Sequence, residues 1–578
     1  MTPGFGLTGS TTAQLTADQY DSGSGNNSQG TATNLGAATR AAGLSRATTG
    51  LSLHTTTDED WFTFSLSERA AVDLTVGFKH STSDIDAVLY RRNGDGSLTT
   101  VRNMNSTTDN ESFADELDAG TYFLKVHSFN DKTAFYSLTL TADLLTYVTV
   151  APNGNNLGII GDGYDHDLLV RRVGNNVEII GAGTTRVRIG SGAWNRSVSL
   201  NLPEVNRLQF NLGAGVDRVR VSDLSVASLG FWDGAGLKSD SLTIEALSQN
   251  VTIGGNTALQ FINGQLNFFV TAANDRSVSF LGSLSVIGGA DRTETSQVRL
   301  ETEGAGSLIA FAGAFHASLP SGGFFQALGN VRFFDGLLLT LGTTSSTTLH
   351  PRGGRIIVRN RLTVASSEGD DTLQILPGVS IEGPFRWSAN AGNDRFEMSS
   401  GALASSITGF ALLNMGEGDN QTYITGPAGN GVTLGQGGSI INGAGSDRVI
   451  LANLSAMSDP ASERGSSAAG AVADTASLDG LFVQGTATVI GSGAGANVNI
   501  QTRNISGRAS RFVGAVGTGL SGASSVVTFG SESDGTPLVT FHHRVILAGG
   551  ASGLRFRNNR RNVGLLDSQL RLFSVTIV

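Results

Sequence analysis

The chain has no cysteine, which excludes disulfides, cysteine-ligated metals and thiol chemistry. Lysine occurs only at Lys79, Lys125, Lys132 and Lys238, so almost all positive charge is arginine. A net charge of −10 argues against a general nucleic-acid binder, which needs clustered positive charge. No apolar run reaches the length of a transmembrane helix; the most apolar pieces, such as residues 281–287, are strand-sized. Residues 1–15 lack a basic start followed by an apolar block, so no signal peptide is expected there. The strand-like ending at residues 572–578 suggests a piece of a longer protein. Proline is scarce, with 10 residues, and few stretches carry a helical pattern.

Glycine is abundant: 77 of the 578 residues, about twice its usual share. Between the glycines lie Val, Ile, Leu, Ser and Thr, a composition suited to short strands and tight turns. One phrase recurs: a glycine turn, an acid or amide, then a β-branched strand. It reads GAGVDRVRV at 213–221, GAGLKSDSLTI at 234–244, EGDDTLQI at 368–375 and NAGNDRFEM at 390–398. It returns as GAGSDRVIL at 443–451 and, weaker, as GSGAGANVNI at 491–500. Its polar positions are Asp217, Asp240, Asp371, Asp394, Asn420, Asp447 and Asn497, mostly spaced by roughly the length of one β-helix coil. The expected fold class is therefore all-β, with residues 146–578 forming a long parallel β-helix. About 24 residues per coil gives about 18 rungs, or about 85 Å at a strand spacing of ~4.8 Å. Between Asp240 and Asp371 the rhythm weakens; Asp275 and Asp291 fall off spacing, which predicts inserted loops or a changed coil shape. Residues 453–480, rich in Ala and Ser, read as an insertion off one rung.

The phrase is similar to the calcium-binding nonapeptide G-G-x-G-x-D-x-U-x, but that motif repeats every nine residues so that successive turns share an ion. Copies a full coil apart cannot build such a cage, so the acids and amides read as a structural turn ladder. The solenoid region also resembles large bacterial surface and exported proteins built of β-solenoid repeats, on the residues LGIIGDG at 157–163 and NVEIIGAG at 176–183.

Before the solenoid, alternating apolar patches at 61–66, 71–76, 87–90, 121–126 and 136–140 predict an antiparallel β-sandwich over residues 14–145, with 1–13 a leader or linker. The series DEDWF at 58–62, SDID at 83–86 with Leu89 and Tyr90, LDAGTY at 117–122 and YSL at 136–138 resembles the bacterial pre-peptidase C-terminal domain. The lead-ins ADQYD at 17–21 and ATNLG at 32–36 fit that family's opening. The resemblance implies a jelly-roll-like sandwich of an exported protein, in which some members bind calcium or matrix polymers. The positions matching the family's calcium ligands are Asp21, Asn27, Asp58 and Asp60. Asp84 and Asp86 read instead as turn or strand-edge caps.

Enzyme motifs find no support. There is no HExxH and no Gly-x-Ser-x-Gly, and His542 and His543 would point to opposite faces of a strand. The glycine runs at 426–431 and 491–496 have no Gly-Lys-Ser/Thr after them. Glu294, Glu301, Glu303, Asp370 and Asp371 are the carboxylates from which a β-helix polysaccharide lyase or hydrolase would draw a pair. Arg555, Arg557, Arg560 and Arg561 form one basic cluster. The expected function is a non-catalytic structural or adhesive module, extracellular or on a bacterial cell surface, with self-assembly as one mode of action. Its expected partners are other copies of itself, surface proteins or polysaccharide, with no nucleic acid and no transmembrane segment. The polysaccharide lyase or hydrolase is the alternative.

Overall fold

Strands make up nearly all the regular structure of this computed structural model; the one helical element among the described residues is the 3-10 turn Gln29–Thr31. Residues 15–21, 25–233, 239–261, 264–289, 295–427 and 430–436 are described in full, and beyond them the backbone of the strands from Gly438–Asn442 onward. The chain divides into two compact units, the first ending at Tyr147 and also taking in Gly183–Arg186. Among the described residues no helix is long and apolar enough to cross a membrane.

The first unit is a β-sandwich of nine strands: β1 (Thr33–Ala38), β2 (Leu44–Leu53), β3 (Glu59–Leu66), β4 (Ala70–Gly77), β5 (Ile85–Arg92), β6 (Leu98–Met104), β7 (Glu111–Leu117), β8 (Gly120–Ser128) and β9 (Ala134–Leu144). One sheet runs β1-β3-β8-β5-β6 and the other β2-β9-β4-β7. β1 and β3 are parallel, and the other pairs are antiparallel. The period-2 pattern sends Phe62, Phe64 and Leu66 of β3 inward to meet Leu74, Leu124 and Leu138 in one buried cluster. Asp60 occupies the same inward register, where an apolar residue would ordinarily stand.

The second unit is a β-solenoid. From Asp240–Ala246 to Gly438–Asn442 each coil adds a strand to each of three parallel sheets in turn, as in Asp240–Ala246, Val251–Ile253, Thr257–Gln260, then Leu266–Ala272 directly above the first. The longest sheet has 18 strands. Two of them, Asn176–Gly181 and Ser197–Asn201, pair antiparallel beside His166–Val173, which leaves sixteen in the parallel stack. These hairpins, with the antiparallel pair Thr146–Asn153 and Asn156–Gly161, occupy the end where the stack begins and pair strand edges that would otherwise be open. Inside, equivalent residues lie on one another: Val219 on Leu242, Leu373 on Phe396, and Phe280, Phe311 and Phe333 with ring centroids 4.9 and 5.1 Å apart.

The recurring phrase is the corner leading into the longest sheet. Its polar residue is buried and reaches back one coil. Asp394 Oδ1 accepts the Asp371 N–H at 2.8 Å, Asp371 Oδ1 accepts the Ser345 N–H at 2.6 Å, and Asn420 Oδ1 accepts the Asp394 N–H at 3.0 Å. Asp240 Oδ1 does the same for Asp217 N–H at 2.7 Å. The preceding residue runs a second column in the opposite sense. Asp370 Oδ1 accepts the Asn393 N–H at 2.7 Å and Asn393 Oδ1 the Asp419 N–H at 2.9 Å, each from the coil ahead. Glycine is required beside them. At Gly392 (φ +140°) an added Cβ would stand 2.2 Å from the Gly369 carbonyl oxygen one coil earlier. Asp447 and Asn497 lie outside the described residues.

Between Asp240 and Asp371 the register carries the same column through Leu266, Ser296, Gly323 and Ser345. The three-sheet cycle continues there, and the weakened rhythm reflects replacement of the corner acid within coils of varying length. Asp275 sits at a different corner, with φ +60°, and Asp291 lies outside the described residues. The strands Leu454–Ala456 and Thr475–Asp479 fall within the Ala/Ser-rich stretch 453–480, and residues 457–474 between them lie outside the described residues.

His166 begins the column, with its Nδ1 2.8 Å from Asp217 Oδ1 and its Nε2 3.0 Å from Asp162 Oδ1. Burial alone would push His166 down; the two carboxylates outweigh it and raise the imidazole to about 9. At Asp394 no cation contributes. Burial is the main influence on Asp394 and, with Asp371 and Asp370 nearby, lifts it to about 7 against the pull of the Asp371 N–H. A folded-state value above the ordinary 3.8 means that the folded chain keeps a proton the unfolded chain releases between about pH 4 and 7. Stability of the solenoid therefore falls as pH rises through that window. Asp394→Asn keeps the accepting oxygen and should flatten this slope in thermal melts, as Asn420 occupies the equivalent place one coil on. Asp394→Leu strands the Asp371 N–H and should cost about 1–3 kcal/mol when both proteins are melted at pH 4.

Candidate metal centre

In the first unit the lead-in before β1 is stitched onto the edges of β2 and β3 by short polar side chains. Asp18 closes a turn by accepting the Tyr20 N–H at 2.7 Å, while its other oxygen accepts the Ser52 N–H of β2 at 2.8 Å. Asp21 Oδ2 accepts the Asp18 N–H at 2.9 Å. The Asn26 carbonyl accepts the Trp61 N–H of β3 at 2.7 Å. Asp58, just before β3, accepts the His54 N–H at 2.8 Å. These contacts bring residues 18 and 21 beside residues 54, 58 and 60.

Two overlapping groups result. Ligand atoms of Asp21, His54 and Asp58 all lie within 4.8 Å of one another, and so do those of Asp18, Asp21 and Asp60. Asp21 belongs to both. Four carboxylates thus share one partly buried place with one imidazole, whose Nδ1 lies 2.6 Å from Asp58 and 3.1 Å from Asp21. Asp60 is fully buried and accepts a hydrogen bond from the Tyr136 hydroxyl at 2.6 Å. Burial pushes Asp60 up to about 7; the Tyr136 hydrogen bond opposes this, and Asp58, Asp18 and Asp21 add to it. Burial also raises Asp21. Asp21 Oδ1, Asp60 Oδ1 and Asn26 Oδ1 are buried without a hydrogen-bond partner. Convergent hard oxygens with unmet electrostatic demand are the donor set that suits Ca²⁺. A nitrogen such as His54 Nδ1 suits it less.

Of the four ligands implied by the sequence, Asp21, Asp58 and Asp60 come together. Asn27 is exposed; with its amide nitrogen turned inward it donates to Asp58 Oδ1 at 2.8 Å and to the Glu59 carbonyl at 3.0 Å, which braces Asp58. The buried amide is its neighbour Asn26. Asp18 and His54 were not singled out in the sequence. Asp18 lay in plain view as the opening acid of the lead-in, whereas nothing local to His54 marks it. Asp84 and Asp86 lie elsewhere: Asp84 is 3.2 Å from His80, and burial, helped by Asp84 and Glu111, raises Asp86 to about 6.

Three of the candidate solenoid carboxylates are engaged by the fold itself. Asp371 is buried in the corner column, Asp370 caps the coil ahead, and Glu301 is held by Arg299 at 2.6 Å and by Arg352. Glu303 is exposed, and Glu294, His542, His543, Arg560 and Arg561 lie outside the described residues, as do the side chains of Arg555 and Arg557.

Comparison with known proteins agrees with the sandwich. No curated protein matches the chain. A solved pre-peptidase C-terminal domain of a collagenase from Bacillus anthracis aligns over 19% of this chain and 93% of its own, at 16% identity and a TM-score of 0.15. Two catalytic domains of GH87 alpha-1,3-glucanase, one in complex with tetrasaccharides and one with nigerose, align over 92% and 94% of this chain and 98% and 92% of their own. Their identities are 8% and 9%, and their TM-scores of 0.13 and 0.12 are too low to carry an argument. Residues 58–128 match the family model of the bacterial pre-peptidase C-terminal domain, and the first unit of this chain carries that domain.

Proposed function

We propose that this chain is a non-catalytic structural or adhesive module of an exported bacterial protein, working outside the cell or at its surface. On this reading the solenoid provides length and a display surface, and the sandwich is an accessory domain held in shape by calcium. The family of the sandwich is typical of secreted proteins, which supports the location. The observation that carries the non-catalytic reading is the engagement of the solenoid's own acids: Asp217, Asp371 and Asp394 are buried acceptors for neighbouring coils, and Glu301 is paired with arginine. A carboxylate buried between coils is out of reach of a substrate, which a general acid or base must touch. Further copies of the chain, surface proteins and polysaccharide are the partners such a module would meet.

Calcium would be held by Asp18, Asp21, Asp58 and Asp60, with Asn26 near by. Bound there, the ion would neutralise the crowded carboxylates and fasten the lead-in to β2 and β3. Binding to the folded state alone raises its stability. Millimolar calcium should therefore raise the melting temperature of the sandwich by on the order of 5 °C, since about 1 kcal/mol moves a domain of this size by roughly that much. A chelator should reverse the rise, and Asp21→Asn should abolish it. A melting temperature indifferent to calcium in the wild type removes the metal from the account. Incubation with neutral and anionic polysaccharides should release no new reducing or unsaturated ends; reproducible release contradicts the non-catalytic reading.

A further inference from the structure

One solenoid sheet contains in succession the strands Asn156–Gly161, Arg207–Gly213, Ser228–Asp233, Thr257–Gln260 and Leu284–Ile287, and the outward face of these five has a large aromatic that the core does not use. Trp232 is 48% exposed on it. The indole leans along its own strand over Gly230: a Cβ there would stand 3.7 Å from Nε1 and 3.9 Å from Cδ1 of the ring, and 3.8 Å from Gln209 Cγ. Parallel pairing places Asn211 and Gln260 directly beside Trp232, one coil before and one after, and Gln209 and Ala258 beside Gly230. Across these five strands the two outward columns that contain Gly230 and Trp232 carry no charged residue.

The chemistry of this patch is specific. An indole offers a flat apolar surface with one N–H at its edge. Flanking amides each donate and accept, as sugar hydroxyls do, whereas a charged side chain would select an ionic ligand. Gly230 and Ala258 keep the surface low beside the ring, so that an extended ligand can lie flat. The rungs repeat at about 4.8 Å, close to the repeat of a polymer of pyranose rings. We propose that this face binds a neutral polysaccharide strand laid along the coils, with one pyranose stacked on Trp232 and its hydroxyls bonded by Gln209, Asn211 and Gln260. This names a ligand for the non-catalytic module and rests on that reading.

The test uses the full chain and a panel of soluble neutral glucans, mannans and galactans, with pectate as the anionic comparison, read by affinity electrophoresis. At least one neutral polymer should retard the wild type. Trp232→Ala should weaken that retention about tenfold or more, as loss of a central aromatic contact does, and Gln260→Ala about fivefold. Trp232→Phe should restore part of it. Melting temperature and circular dichroism should be unchanged in all three variants, because Trp232 and Gln260 lie outside the core. Retention by no neutral polymer, stronger retention by pectate, or equal retention of wild type and Trp232→Ala each overturns the proposal. So does a Trp232→Ala variant that changes only the mass measured by light scattering, which would make the patch a contact between copies. Release of chain ends in the same incubations would overturn the non-catalytic reading while Trp232-dependent binding stood. Absence of binding would overturn the platform and leave the non-catalytic reading in place.

Discussion

The acid-bearing corners of the solenoid depend on one repeated hydrogen bond: a backbone N–H given to the buried side-chain oxygen of the residue one coil ahead. Parallel sheets satisfy the backbone of the strands, but the chain must turn between sheets, and there its amides lose their regular partners. A buried amide left unpaired costs free energy comparable to a lost hydrogen bond. Asp371, Asp394 and Asn420 meet that demand for the coil behind them, and Asp370 and Asn393 for the coil ahead. Because the bonds run between coils, each corner is also a joint. The cost is a line of buried carboxyl groups whose second oxygens, at Asp217, Asp371 and Asp394, have no hydrogen-bond partner. At the start of the stack His166 supplies a compensating charge; farther on protonation or an amide serves instead.

The corner was legible because it needs particular chemistry at a fixed spacing. Glycine is enforced by the carbonyl of the preceding coil, and the acid or amide by the amide it must accept. Asp217, Asp371 and Asp394 stand out for both reasons. The middle of the stack was not legible by the same signal, since Leu266, Ser296, Gly323 and Ser345 fill the identical register without an acid. There the strand pairing maintains the coil, and local sequence gives only alternation. Trp232 went unnoticed for a related reason: an aromatic in a strand looks like core until the register shows which way it faces.

The sandwich was legible through its alternation and through motifs of the pre-peptidase C-terminal family, and its acidic cluster only in part. Asp58 immediately precedes β3, and Asp60 lies within it in the inward register. His54 joins through the turn before β3, and Asp18 through a bond to Ser52 more than thirty residues away, a contact no local pattern records. Asn26 and Asn27 are neighbours whose roles differ because one is buried and the other exposed. In both units, acids are placed where few charges would go unless something met them: a backbone amide in the solenoid, and a crowded set of oxygens suited to a cation in the sandwich.

The central claim concerns the corner, and amide hydrogen exchange on the intact chain tests it most directly. The N–H groups of Asp217, Asp371 and Asp394 lie in turns by sequence, yet each is bonded to a buried side-chain oxygen. The account predicts that they exchange as slowly as strand amides of Leu373 and Phe396, because opening any of them requires parting two coils. Exchange at the rate of an exposed turn, with the neighbouring strands still protected, would contradict it.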